Sequence, residues 1–154
     1  MAIPTFYRVV FFLFDVAMPL FGVVANTTMP EFIVSAYTPK IAKPIATETI
    51  VLLDGMAGFF ACLIFLNLYF LSTKANDVTV WRGLQGGTLL TDVFMLFAFG
   101  RALSTEGRTT LESWRGEDYG NVVGYTVILL VRLAFVLGLG LKEEQRPQSE
   151  KKKA

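Results

Sequence analysis

Residues Phe6 to Ala25 read FYRVVFFLFDVAMPLFGVVA: twenty positions, nearly all apolar, with one aspartate at their centre. Twenty apolar residues in a helix rise about 30 Å, the thickness of a bilayer's hydrocarbon core. The stretch is too uniformly apolar for a face pattern to assign it; length and punctuation decide. Three more segments of the same kind follow, at about residues 47–71, 79–102 and 120–141. In lipid each span must satisfy its own backbone hydrogen bonds, so all four are expected to be helices. The expected fold is all-α, a membrane-spanning four-helix bundle over residues 1–142, with a disordered basic tail at 143–154.

Composition agrees. The chain has 154 residues, 53% hydrophobic and only 18% charged, with mean hydropathy +0.52. A soluble domain of this size needs a more polar exterior. The net charge of +1, with no clustered basic face, argues against nucleic acid as a partner. There is no histidine and one cysteine, Cys62, so no intrachain disulfide, no ordinary zinc, iron or copper site and no histidine-based nucleophile system is expected. No cofactor is implied. Any chemistry falls to carboxylates, arginine, hydroxyls and amides.

Lysines and arginines orient the spans. Arg8, Lys74, Arg82, Lys142, Arg146 and Lys151 to Lys153 lie on one side of the expected topology. Lys40, Lys43, Arg101, Arg108 and Arg115 lie on the other. The excess predicts both termini in the cytosol. Lys151-Lys152-Lys153-Ala154 then resembles a dilysine retrieval signal, an address read by receptors that predicts the endoplasmic reticulum membrane. Val23-Val24-Ala25 resembles a signal-peptidase site, but Asp15 inside the apolar stretch argues that this first span is retained. Asn26-Thr27-Thr28 is a glycosylation sequon on the lumenal side of that topology. In the first loop, Pro30 to Tyr37 reads as a short interfacial helix or lid. The mixed charges from Arg101 to Asp118 read as a solvated turn or short helix.

Four ionisable residues fall inside the spans: Asp15, Asp54, Asp92 and Arg132. Each costs roughly 2.5–3.5 kcal/mol at a helix centre when unpaired, which predicts that they face inward and meet. Helical spacing suggests such faces. Asp54, Ala57, Gly58 and Ala61 share a small-residue side of the second span. Gln85, Thr88 and Asp92 form a polar stripe on the third, beside the Gly83/Gly87 pair. Asn121, Tyr125 and Arg132 align on the fourth. Arg8, Phe11 and Asp15 align on the first, and Pro19 is expected to kink the helix one turn later. At about 1.5 Å per residue, Asp15, Asp92 and Arg132 lie within roughly 5–7 Å in depth, and Asp92 is the expected partner of Arg132. Three carboxyls sharing one arginine leave excess negative charge, so at least one is expected to carry a proton. That division yields one donor and one acceptor for acid–base chemistry.

Several motifs together resemble an uncharacterised family of small fungal four-span integral membrane proteins. They are Pro4-x-x-Tyr7-Arg8, Asp15 with Pro19, Trp81-Arg82, Gly86-Gly87, Asp92, Trp114, Asp118-Tyr119-Gly120-Asn121, Arg132 and Gly138-x-Gly140. The resemblance implies a fungal source and a four-helix domain, with no established activity; some relatives look like accessory genes of secondary metabolism. The architecture is also similar to sterol isomerases and related sterol-binding proteins, although the absence of histidine prevents carrying over their residue pattern. The leading expectation is an acid–base isomerase or cyclase acting on an apolar, terpenoid- or sterol-like substrate. Asp15, Asp54, Asp92 and Arg132 would be catalytic, and Phe11, Trp81, Gln85, Thr88 and Tyr125 would bind substrate, the aromatic rings stabilising a cation. The alternatives are a non-catalytic scaffold or lipid-binding protein, in which the charges only fix the bundle, and a small proton-coupled carrier working as a homodimer.

Overall fold

The computed structural model describes residues 3–141, and these form five helices with no strand among them. Helix α1 spans Thr5–Thr28, α2 is the short Pro30–Ser35, α3 is Thr47–Thr73, α4 is Val78–Thr105 and α5 is Gly116–Val136. All except α2 are long and apolar enough to cross a bilayer, and the chain is a multi-pass membrane protein. Residues 142–154, which hold the expected basic tail and dilysine signal, lie outside the described residues.

Local chemistry explains the helix ends. α1 stops before Pro30, whose ring disfavours helical geometry at Met29, and Pro30 then opens α2, where its missing N–H costs nothing. Asp77 caps α4, its Oδ1 accepting from the backbone N–H groups of Thr79 (3.0 Å) and Val80 (3.1 Å). The fourth span begins and ends earlier than the apolar run suggests. Asp118, in its first turn, accepts from the Arg115 N–H at 2.8 Å, and Gly138 at φ +87° ends it. The Leu139 N–H bonds back to the Ala134 carbonyl at 2.9 Å, closing that end.

Pro19 acts differently from the expected kink. A proline ring collides with the carbonyl four residues back, here that of Asp15. α1 answers by widening into a π-helical segment over Leu13–Ala17, just before the proline, in which the Met18 N–H bonds to the Leu13 carbonyl. Asp15 sits at the middle of this segment.

The helices pack mainly as two pairs, α1 with α3 and α4 with α5. In the first pair the Phe60 ring seats against Gly22, where a Cβ would come within 2.9 Å of it. Side chains join the pairs at the end that carries both described termini. There Ile3, Tyr7, Phe11, Trp81 and Phe135 form one buried cluster, with Phe11 and Phe135 ring centres 5.1 Å apart. The Tyr7 hydroxyl donates to the Leu139 carbonyl at 2.8 Å, and Arg8 Nη2 to Asn76 Oδ1 at 2.7 Å. The first and last helices and the α3–α4 turn are thereby held at one end.

Candidate functional site: a buried carboxylate–guanidinium centre

Arg132 of α5 reaches across the interior and joins both helix pairs. Its Nη2 lies 2.6 Å from Asp15 Oδ1 on α1, and its Nε donates to Asp92 Oδ2 on α4 at 2.7 Å. Gln85, two turns before Asp92 on α4, completes the network. Its Oε1 accepts from Arg132 Nη1 at 2.5 Å, and its Nε2 donates to Asp15 Oδ2 at 2.7 Å. All four residues are 3% exposed or less, so the network is shielded from bulk solvent and from lipid. The pairing of Arg132 with Asp92 is the one expected from depth; Asp15, within the same range of depth, makes an equally close contact from the middle of the π-helical segment.

Phe11 stacks its ring under the guanidinium, with Arg132 Cζ 5.9 Å from the ring centre. Trp81 lies in the same aromatic cluster, and its indole N–H donates to the Lys74 carbonyl at 3.1 Å. Thr88 is buried but returns its hydroxyl to the Leu84 carbonyl of its own helix at 3.1 Å. Tyr125 is half-buried beyond the centre, 5.5 Å from Phe99 between ring centres. Gln85 is therefore part of the ionic network itself, while Phe11 and Trp81 wall it on the terminal side.

Asp54 departs from the expected arrangement. It is exposed, as are Gly58 and Ala61, and only Ala57 of that small-residue face is buried. α3 meets α1 with Phe60 against Gly22 instead, and its buried residues are Ala57 and Asn67. Without water there is no hydrophobic drive between spans, so the fit of Phe60 against Gly22 sets the rotation of α3. Asn67, 2% exposed, is the buried polar residue of this helix, and its side-chain amide donates to the Leu63 carbonyl at 3.0 Å. Its one sequence signal is that it stands alone in an apolar run.

A second polar cluster closes the opposite end. Arg108 and Arg115 both bind Asp118, Arg108 Nη1 meeting Asp118 Oδ2 and Arg115 Nη2 lying 3.2 Å from Oδ1. The arginines also donate to backbone carbonyls around the end of α2. Arg108 Nη2 reaches Tyr37 at 2.7 Å, while Arg115 reaches Ser35 at 3.0 Å and Ala36 at 3.2 Å. Asn121 adds a bond to the Ala36 carbonyl at 3.3 Å. The mixed charges of this loop are thus partly a buried clamp, with Arg108 8% and Asp118 4% exposed. Burial of the Tyr37 ring, stacked 5.1 Å from Phe99, raises its hydroxyl pKa. Nearby Asn26 is buried within α1 and donates its side-chain nitrogen to the Gly22 carbonyl at 2.7 Å, the atom that glycosylation would need.

An open cavity of about 560 Å³ lies at the α3–α4 turn, lined by Asn76, Asp77, Val78, Thr79 and Arg82, none of them a member of the Asp15–Arg132–Asp92 network. No group of histidine, cysteine or carboxylate side chains able to hold a metal occurs among the described residues.

A family model matches residues 1–142, which take in every helix and both polar clusters. The chain belongs to the DUF7704 family, a domain of unknown function. No curated protein and no solved structure matches it.

Proposed function

We propose that the protein is a non-catalytic membrane scaffold or lipid-binding protein whose Asp15–Arg132–Asp92 centre locks two helix pairs into one bundle. One observation carries this reading: a single guanidinium pairs with carboxylates from opposite helix pairs, lying 2.6 Å from Asp15 Oδ1 and donating to Asp92 Oδ2 at 2.7 Å, while Gln85 ties the remaining oxygen of Asp15. Each partner is almost wholly buried, and Phe11 packs directly on the arginine. Buried ionic groups of this kind add little net stability compared with apolar packing, but they penalise every arrangement that leaves one unpaired. A lock that specifies helix order is what such a penalty accomplishes.

A second reading has its own observation in favour. Two carboxylates share one guanidinium, so a single proton would cancel the excess charge and leave one acid beside one base. That is the arrangement of an isomerase or cyclase acting on an apolar, terpenoid- or sterol-like molecule, and the π-helical segment at Asp15 is a feature frequent at functional sites. The finer expectations of a fungal source and of residence in the endoplasmic reticulum with both termini cytosolic belong to this proposal too, supported by the motif order and the lysine-rich tail.

One experiment separates the two. Asp15→Leu, Gln85→Leu, Asp92→Leu and Arg132→Met are combined, replacing the network by apolar side chains of similar size. Folding is measured in detergent, and apolar metabolites are profiled in cells carrying the natural gene, the variant or a deletion. If the centre serves helix order alone, the variant is as stable as the natural protein but populates more than one helix arrangement, and wherever it folds it leaves the metabolites equal to those of the natural gene. A well-folded variant that accumulates the same precursor as the deletion rejects the scaffold in favour of the enzyme.

A further inference from the structure

Asp54 and Arg101 are two exposed ionisable groups on membrane-spanning helices, and neither has an ion-pair partner among the described residues. Asp54, two turns into α3, is costly if left facing hydrocarbon, while Arg101, one turn from the end of α4, lies near the edge of the membrane. Both lie toward the end opposite the termini. Measured from the α3–α4 turn at about 1.5 Å per residue, they differ by about 6 Å in depth, or one helical turn. Side chains lean toward the start of their own helix. Because α3 and α4 run in opposite directions, that lean shortens the difference from both sides.

The surfaces around the two charges match. On α3, Asp54, Gly58, Ala61, Phe65 and Leu68 follow one another at steps of four and three, and all are exposed. On α4, Gly87, Leu90, Phe94, Phe97 and Arg101 do the same, on the side opposite the buried Gln85 and Asp92. Steps of three and four are the spacing of a helix–helix seam. Aligned antiparallel with Asp54 facing Arg101, Gly58 and Ala61 come opposite Phe97 and Phe94, and Leu68 comes opposite Gly87. Nothing stands within 4 Å of a Cβ built on Gly58 or Gly87, so both positions are open to receive a large side chain. Charge and size therefore agree in one register.

We infer that a second copy of this chain docks here, α3 of each protomer against α4 of the other, with Asp54 paired to Arg101 across the interface twice in a two-fold dimer. The inference is independent of the buried centre, whose residues take no part in the seam.

The test uses the full chain with Cys62→Ala, co-reconstituted in phosphatidylcholine vesicles as two differently tagged versions, one with Ala61→Cys and one with Phe94→Cys. Mild oxidation is expected to link the two versions to each other at twice 17.1 kDa, in preference to like-with-like products. Asp54→Lys or Arg101→Glu should each reduce that mixed product several-fold, and the two together should restore it. Absence of a preferred mixed product in the native charge background overturns the inference. So does a mixed product that charge reversal leaves unchanged, or one that the double reversal fails to restore.

Discussion

Among the described residues stand two buried ionic clusters of opposite excess. At the centre, one arginine serves two carboxylates; at the far end, two arginines serve one. The far clamp disposes of its surplus cation easily, because guanidinium N–H groups also bond to neutral backbone carbonyls, here those of Ser35, Ala36 and Tyr37. The centre has no such outlet. A surplus carboxylate needs donors, and beyond Arg132 the network supplies one, the Gln85 amide. The difference shows why the clamp can be purely an attachment of α2 to the α4–α5 connection, whereas the centre is the place where a proton would relieve the charge.

Breaking each cluster by removing its shared partner should expose this contrast most strongly. Arg132→Met leaves two carboxylates buried without a cation and is expected to cost about 3–5 kcal/mol, read as loss of folded protein in a denaturation series in detergent. Asp118→Ala leaves two arginines that keep their carbonyl partners. It should cost about 2–3 kcal/mol, the worth of the charge-assisted bonds removed. Its signature is faster proteolysis between residues 35 and 46 with the spans intact.

Neutralising a carboxylate without changing its shape sharpens the comparison. Asp92→Asn retains a carbonyl oxygen for Arg132 and removes the surplus charge, so its cost should stay within about 1 kcal/mol. Asp118→Asn deprives two arginines of the anion they share among the described residues and should cost measurably more in the same denaturation assay. If Asp92→Asn proves the worse of the two, the centre carries no surplus to relieve. Smallest of all, Arg115→Lys loses the fork that bonds Asp118 and two carbonyls at once, but at a partly exposed position. A change of about 0.5–1 kcal/mol is expected, checked by the melting temperature.

Much of this architecture is legible in the amino-acid order, for reasons that can be named. The four spans follow from length and apolarity, since lipid forces any such stretch to be helical. The meeting of Asp92 with Arg132 follows from depth, which residue count measures directly. Asp54 shows where that reasoning stops: its small neighbours mark a face where a helix backbone can approach, and such a face serves a second chain as well as a helix of its own. The clamp was hidden for the opposite reason. Arg108, Arg115 and Asp118 sit among other charges in a connecting segment, and nothing in their spacing separates a buried set from a solvated one. Pro19 is visible, yet the strain of a proline falls on the turn before it, so its consequence appears at Asp15.

By itself, then, the sequence determined the number of spans, their helical character and the chemical inventory, because these depend on properties that each segment carries alone. Only the tertiary structure decided the rotation of α3, the clasp of both aspartates by Arg132 and the sorting of loop charges into clamp and surface. Each of those depends on which surfaces fit one another once every segment is already apolar and already a helix.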